Sequence, residues 1–280
     1  MSTVLETIDG GTRYLEKRGI EDARRNMQML VARQLGCTRM ELYLQFDRPL
    51  ADADLEPLRQ TLKQRGEGIP LQHLLGTVGF HHREFKADAR ALIPRPETEE
   101  LAEWILSWDP GATSRVLDMG CGSGVIGLTL AAERPAWDVT LADVSPDALA
   151  LARENAALLA TGNVGFVQSD LFSAVVGEFD GIVANLPYVP ESERATMERE
   201  VLHDPALALF SGPDGLDLIR RFIPLAISHL QPGGWLVLEI GHDQASQVIE
   251  ILQTSCFTAI EVKTDLSGVA RFPYAKRPAL

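Results

Sequence analysis

The chain has 280 residues, 45% of them apolar, and its 39 acidic against 26 basic side chains leave a formal charge of −13 at neutral pH. That length holds one large domain or a large and a small one, and the apolar content excludes a chain that stays disordered. The charge argues against a surface built to grip a phosphate backbone, because no basic run offsets it. Cys37, Cys121 and Cys256 lie far apart with no Cys-x-x-Cys pair. They give neither a disulfide framework nor a zinc pattern, and we assign no metal and a reducing, cytoplasmic setting. No apolar run approaches the roughly 18 to 20 residues of a membrane span, and the start MSTVLETIDGG has the character of neither a secretory signal nor a transit peptide.

In chain order, Ile20, Ala23, Met27, Leu30 and Val31 recur at helical spacing and Gly36 provides a stop. Leu55, Leu58 and Leu62 predict a second helix, with Asp54 as its cap and Pro57 in the tolerated first turn. Residues 1–68 therefore read as a small helical domain. Short apolar pieces at 78–80 and 85–87 flank a polar turn, the pattern of a β-hairpin, and 69–93 reads as a linker. From residue 115 strand-like and helical runs alternate: RVLDM, a helix over 125–134, DVTLAD, a helix over 146–159, VGFVQ and FDGIVAN. A helix over 216–230, the turn Gln231-Pro-Gly-Gly, the strand WLVLEI, a helix over 243–253 and strands at 259–262 and 269–272 complete the chain. The alternation implies an α/β domain over 94–280, with a mostly parallel seven-stranded sheet between helices.

The stretch VLDMGCGSGVIG places Gly120, Cys121, Gly122, Ser123 and Gly124 between a strand and a helix, where glycines let the backbone approach a ligand closely. The pattern is ambiguous. Gly122, Gly124 and Gly127 satisfy the dinucleotide fingerprint, and Gly120, Gly122 and Gly124 satisfy the shorter Gly-x-Gly-x-Gly. Asp143 ends the second strand, where a carboxylate accepts hydrogen bonds from ribose hydroxyls or caps the next turn. Asp170 ends the third, placed to accept from an exocyclic amine of a base, with Leu171 packing on the ring. Asp118, just before the glycines, would repel a pyrophosphate but attract the amino group of S-adenosylmethionine.

The fourth strand ends in Asn185-Leu186-Pro187-Tyr188, for which hydride transfer has no use. Methyl transfer to a planar NH2 needs the nitrogen held in line with the methyl, about 3 to 3.5 Å away, and two acceptors on its N–H bonds. The Asn185 side-chain oxygen and the Leu186 carbonyl can be those acceptors. Pro187 stiffens the loop, and Tyr188 packs flat on the planar group. The plain alternative is a proline turn after a buried strand.

Asn185-Leu186-Pro187-Tyr188 is similar to the Asn-Pro-Pro-Tyr motif of methyltransferases that act on planar NH2 groups. With IPRPETE, VLDMGCGSGVIGLTLA, DVSPDALALARENA, FDGIVANLPYVP, ALFSGPDGLDLIRRF and LQPGGWLVLEIGHDQ, nearly the whole chain resembles the peptide chain release factor glutamine methyltransferases, the HemK/PrmC family. The resemblance implies a Rossmann-like S-adenosylmethionine-dependent domain behind a helical substrate-recognition domain. It also implies methylation of the glutamine amide nitrogen in the Gly-Gly-Gln motif of class 1 release factors, in translation termination, by a monomer. By the same resemblance Gly120 to Gly124, Asp143, Leu171 and Asn185 contact the cofactor, and Asn185 to Tyr188 hold the glutamine. Leu186 departs from the first proline of the family motif, but the main-chain carbonyl remains, which implies preserved chemistry on a looser loop. Asn-Leu-Pro-Tyr is also the form in ribosomal RNA adenine dimethyltransferases, so N6-adenine methylation of RNA or DNA is the alternative, against which the net charge argues. A binding module without catalysis and a dehydrogenase are the further readings.

His81 and His82 read as solvated turn residues, and His242 as a strand-end residue without a direct role in catalysis. Glu97 and Glu99 either orient the linker or reach the cofactor's amino group, and Arg95 is left unassigned.

Overall fold

The structure, a computed structural model, describes residues 2–108 and 113–279. By packing, the chain divides into two units: Met1–Thr77 with Glu198–His203, and Val78–Met197 with Asp204–Leu280.

The first unit is helical: α1 (Val4–Glu16), α2 (Ala23–Leu35), α3 (Arg39–Leu42), α4 (Asp52–Gly66) and α5 (Leu71–Leu75). α1 starts where Thr3 accepts from Glu6 N and Glu6 returns a bond to Thr3 N, a reciprocal cap that satisfies two otherwise unpaired amides. α2 stops at Gly36, whose φ of 64° ends the helix as the sequence predicts. α4 begins earlier than expected. Asp54 is not its cap but lies within the first turn, where its carboxylate accepts the Ala51 N–H at 3.2 Å. Val4, Ile8, Met27, Val31, Leu42 and Leu50 fill the core. The buried Arg65 donates to Asn26 Oδ1 (2.7 Å), the Ile69 carbonyl (3.2 Å) and the Glu200 carboxylate.

The second unit opens with a hairpin, β1 (Thr77–Phe80) and β2 (Arg83–Lys86), turning through His81 and His82 at φ 46° and 61°. Phe80 and Phe85 meet edge to face at 6.0 Å and pack into the same core as Leu101 and Ile105 of α6 (Pro96–Leu106). The sheet contains β3 (Arg115–Met119), β4 (Asp138–Asp143), β5 (Val164–Gln168), β6 (Phe179–Asn185), β7 (Leu230–Glu239), β8 (Thr258–Thr264) and β9 (Ala270–Lys276). Its seven strands lie in the order β5-β4-β3-β6-β7-β9-β8; the first five are parallel and the β9 and β8 pairings antiparallel.

Side chains alternate across the sheet. Leu117 and Met119 of β3 and Ile182 and Ala184 of β6 join one core with α9 (Asp217–Ala226) and α10 (Ala245–Thr254). Val116 and Val183 join the other, with α6, α7 (Val125–Glu133) and α8 (Pro146–Leu159). α7 is apolar almost all round because it is buried almost all round. α9 buries Ile219, Phe222, Ile223 and Ala226 at helical spacing and faces Arg220 and Arg221 outward.

Two further elements differ from expectation. The helix expected over 216–230 ends at Ala226, a short 3-10 turn follows, and Leu230 already pairs in β7 with Phe179. Gln231-Pro-Gly-Gly is consequently a bulge within that strand rather than a turn before it, since pairing resumes at Gly181 and Trp235.

Candidate functional site

From β3 the chain steps outward to β4 and β5, then returns to lay β6 on the other flank of β3. This reversal opens a crevice beyond the strand ends, the place where open α/β sheets hold ligands. The register pairs Met119 with Ala184, so Gly120, the first residue beyond β3, comes beside Asn185, the last residue of β6. A Cβ on Gly120 would lie 2.8 Å from Leu186 Cδ2 and 3.7 Å from the Asn185 carbonyl oxygen. The absence of a side chain at 120 thus lets the two loops touch.

A cavity of about 360 Å³ lies there. Its wall includes Gly120, Cys121, Gly122, Ser123, Asp143, Asp170, Leu171, Asn185, Leu186 and Pro187. Gly124 and Tyr188 are not part of that wall. Gly124 is the left-handed cap of α7, with φ of 83°, and a Cβ on it would press on Leu141 and Leu128 at 2.9 and 3.0 Å. Gly127 is a packing residue too, because a Cβ there would meet Asp118 Oδ2 at 2.9 Å. Its amide donates to that oxygen at 2.8 Å. The loop is therefore built on Gly120, Gly122 and Gly124, all of positive φ, rather than on the longer fingerprint.

Asp143 turns both oxygens onto backbone, accepting Gly122 N at 2.9 Å and Ser145 N at 2.8 Å. It is a cap that shapes the glycine loop and, at the cavity wall, keeps carboxylate lone pairs for a ligand. Burial raises its pKa, and the backbone donors oppose that rise. Asp170 is exposed and paired with Arg221, which lines the same cavity, at 3.1 Å. Leu171 is buried with φ of 50°, a left-handed conformation that costs a leucine about 1–2 kcal/mol. Such strain concentrates where a side chain is held for a ligand. The Cys121 thiol is buried, and burial pushes its pKa up.

Asp118 does not fit its sequence reading. It is absent from the cavity wall and faces α7, and its pKa is raised to about 7 by burial, with Asp143 contributing. β3 is an inner strand, so the carboxylate is enclosed before it can reach the crevice. Glu99 accepts His81 N at 2.7 Å and so orients the hairpin, and Arg95 pairs with the buried Asp204 at 3.1 Å. His242 is exposed.

Asn185 donates through Nδ2 to Thr98 Oγ1 at 3.1 Å, and Thr98 Oγ1 donates to Glu239 Oε2 at 2.7 Å. The Tyr188 hydroxyl donates to Glu239 Oε1 at 3.4 Å, and the Tyr188 carbonyl accepts from Gln244 Nε2 at 2.8 Å. Burial pushes Glu239 up to about 7 and holds the Tyr188 phenol above its ordinary range. Sequence reasoning missed Thr98, Glu239 and Gln244. The only local signal was a carboxylate inside the apolar strand WLVLEI and a threonine between the two glutamates of PETE.

Residues 6–76 match the family model "PrmC N-terminal domain", and residues 100–214 match "Methyltransferase small domain". The chain is 38% identical over 280 residues to a release factor glutamine methyltransferase of Koribacter versatilis, covering 99% of each chain. It is 39% identical over 273 residues to one of Deinococcus radiodurans, covering 97% of this chain and 98% of the relative. Among solved structures, a ribosomal protein L11 methylase of Lactobacillus delbrueckii subsp. bulgaricus superimposes with a TM-score of 0.51 at 21% identity, over 69% of this chain and 84% of that one. That likeness is one of fold.

Proposed function

The chain belongs to the release factor glutamine methyltransferase family, and on that premise we propose that it methylates the side-chain amide nitrogen of the glutamine in the Gly-Gly-Gln motif of class 1 peptide chain release factors. The observation that carries the reading is that Asn185, Leu186 and Pro187 share one cavity wall with the glycine loop and Asp143. The cavity, about 360 Å³, is within the range of small-ligand sites. Gly122 brings bare backbone to its wall, and Asp143 and Leu171 offer an acceptor and an apolar face to a nucleoside. These residues fit S-adenosylmethionine, which when bound supplies an electrophilic methyl group.

The chain's own part is positioning. Among the described residues no donor reaches Asn185 Oδ1, so this oxygen and the Leu186 carbonyl are assigned to the two N–H bonds of the target amide. Leu186 buries its side chain in the core beside Gly120, so the substituted position is anchored by packing where a proline would be anchored by its ring. Pro187 restricts the corner, and Tyr188 secures it through its hydroxyl and carbonyl. Asp170 and Leu171 are assigned to the base of the cofactor. Substrate recognition is assigned to 1–68 and catalysis to 94–280, with 69–93 joining them. The enzyme acts as a cytoplasmic monomer on protein rather than nucleic acid, a reading supported by the net charge of −13. No helix among the described residues is long and apolar enough to cross a membrane.

Purified protein incubated with labelled methyl donor, release factor and ribosomal RNA tests the assignment. Label on the Gly-Gly-Gln glutamine is the expected result, and label on the RNA, or on neither, refutes it.

A further inference from the structure

An asparagine amide is nearly symmetrical in shape but not in polarity. If Asn185 presented Nδ2 to the cavity instead of Oδ1, an N–H would face the N–H of the target amide, and the site would repel what it is built to hold. Something must decide which end points inward.

The deciding groups are Thr98, which shares the cavity wall with Asn185, and Glu239 behind it. Thr98, in the first turn of α6, is 3% exposed and Glu239, at the end of β7, is 1% exposed. A hydroxyl carries one proton, and an ionised carboxylate only accepts. With Glu239 ionised, the Thr98 proton is committed to Oε2 at 2.7 Å, so Thr98 Oγ1 has only lone pairs left for Asn185. Nδ2 must therefore turn toward Thr98, at 3.1 Å, and Oδ1 toward the cavity. The Tyr188 hydroxyl, donating to the other carboxylate oxygen, ties the far end of the motif to the same anion.

We propose that Thr98 and Glu239 are positioning residues that set the polarity of Asn185, so that its oxygen rather than its nitrogen meets the target amide. The inference rests on the function proposed above and extends it to residues that lie 87 and 54 positions from Asn185.

The relay has a second state. A protonated Glu239 donates to Thr98 Oγ1, which frees the threonine proton for Asn185 Oδ1 and turns Nδ2 into the cavity. The groups that act on Glu239 are Thr98 and Glu97 of α6, Tyr188 after β6 and Arg271 of β9. Arg271 and the two hydroxyls favour the anion, whereas burial and Glu97 oppose it, and burial is the largest effect. The balance brings the carboxyl to about 7, so the active polarity is present above that pH and is lost below it.

The test measures kcat and both KM values, varying methyl donor or release factor with the other saturating, from acid to mildly alkaline pH, for wild type, Thr98→Val, Thr98→Ser and Glu239→Gln. Thr98→Val keeps the shape but neither donates nor accepts, and its kcat is expected to fall about 100-fold, with the KM for the methyl donor within about two-fold of wild type. Thr98→Ser restores the hydroxyl and recovers turnover. Wild-type kcat falls on the acid side of about pH 7, and Glu239→Gln, which cannot ionise, loses that dependence. A Thr98→Val enzyme at wild-type kcat, or an acid limb that survives in Glu239→Gln, overturns the relay. Should Glu239→Gln fail to fold, the Thr98 pair decides alone. A wild-type enzyme that leaves the release factor unlabelled refutes the proposed function instead, so the two failures are distinct.

Discussion

Gly215→Ala tests whether the Asn185–Tyr188 corner must be rigid. Gly215 has φ of 77° and backs the Tyr188 carbonyl, so a Cβ there overlaps that oxygen and lies 2.7 Å from Gln244 Nε2. Gln244 is the clamp: its Nε2 donates to the carbonyls of Tyr188 (2.8 Å) and Asp214 (3.3 Å), and its Oε1 accepts Gly241 N (2.8 Å). A left-handed backbone costs alanine about 1–2 kcal/mol. Overlap with fixed backbone adds about 1–3 kcal/mol, and the displaced Gln244 bond about 1 kcal/mol. The result, about 3–6 kcal/mol, is a large part of the roughly 5–15 kcal/mol that holds a protein folded. At about 2–4 °C per kcal/mol for a chain of this size, Tm falls by about 6–24 °C. Because Gly215 is not on the cavity wall, affinity for the methyl donor stays within about three-fold by calorimetry. A corner displaced by about 1 Å loses about 100-fold in kcat. The double variant with Gln244→Ala is less than additive, since part of the overlap is removed with the glutamine. A Tm within about 1 °C of wild type, or equal losses of affinity and turnover, refutes the reasoning.

Asn185→Ala is expected to lower kcat about 100- to 1,000-fold, with little change in methyl-donor affinity; single-turnover labelling beside calorimetry separates the two, and matching losses would deny Asn185 its role. Leu171→Ala removes apolar surface from the cavity wall worth about 1–2 kcal/mol, so affinity for the methyl donor drops about ten-fold in a titration; an unchanged Kd counts against its contact with the base. Burial raises Asp118 from 3.8 to about 7, so between those values the folded chain keeps a proton that the unfolded chain has released. The associated stability is present at acid pH and is lost as the pH rises through about 7. Asp118→Asn can still accept from Gly127 N, and its Tm is expected to gain on wild type at alkaline pH but not at acid pH. A difference in Tm that is flat with pH would show that this carboxyl does not titrate as its burial demands.

The bounds of β3, β4, β5 and β6 were legible in RVLDM, DVTLAD, VGFVQ and FDGIVAN. Inner parallel strands are short apolar runs between turn residues, and that pattern is local. The Asn-Leu-Pro-Tyr corner and the glycine loop were legible for the same reason, because each is a contiguous set of residues with one backbone task. The start of α1 was not read, although its signal, Thr3-x-x-Glu6, is a cap formed within one turn of chain.

Only the tertiary structure decided what these pieces face. Strand order put β6 beside β3, and the register brought Gly120 against Leu186; no periodicity in either segment encodes that neighbour. Asp118 and Asp143 look alike in sequence, as acids at the ends of strands, yet one is enclosed against α7 and the other opens on the cavity. The bond from Thr98 to Glu239 spans 141 positions and the bond from Asn185 to Thr98 spans 87. Hydrogen-bond direction depends on which groups are enclosed together and which of them carries the proton, and packing supplies that information after the local elements have formed.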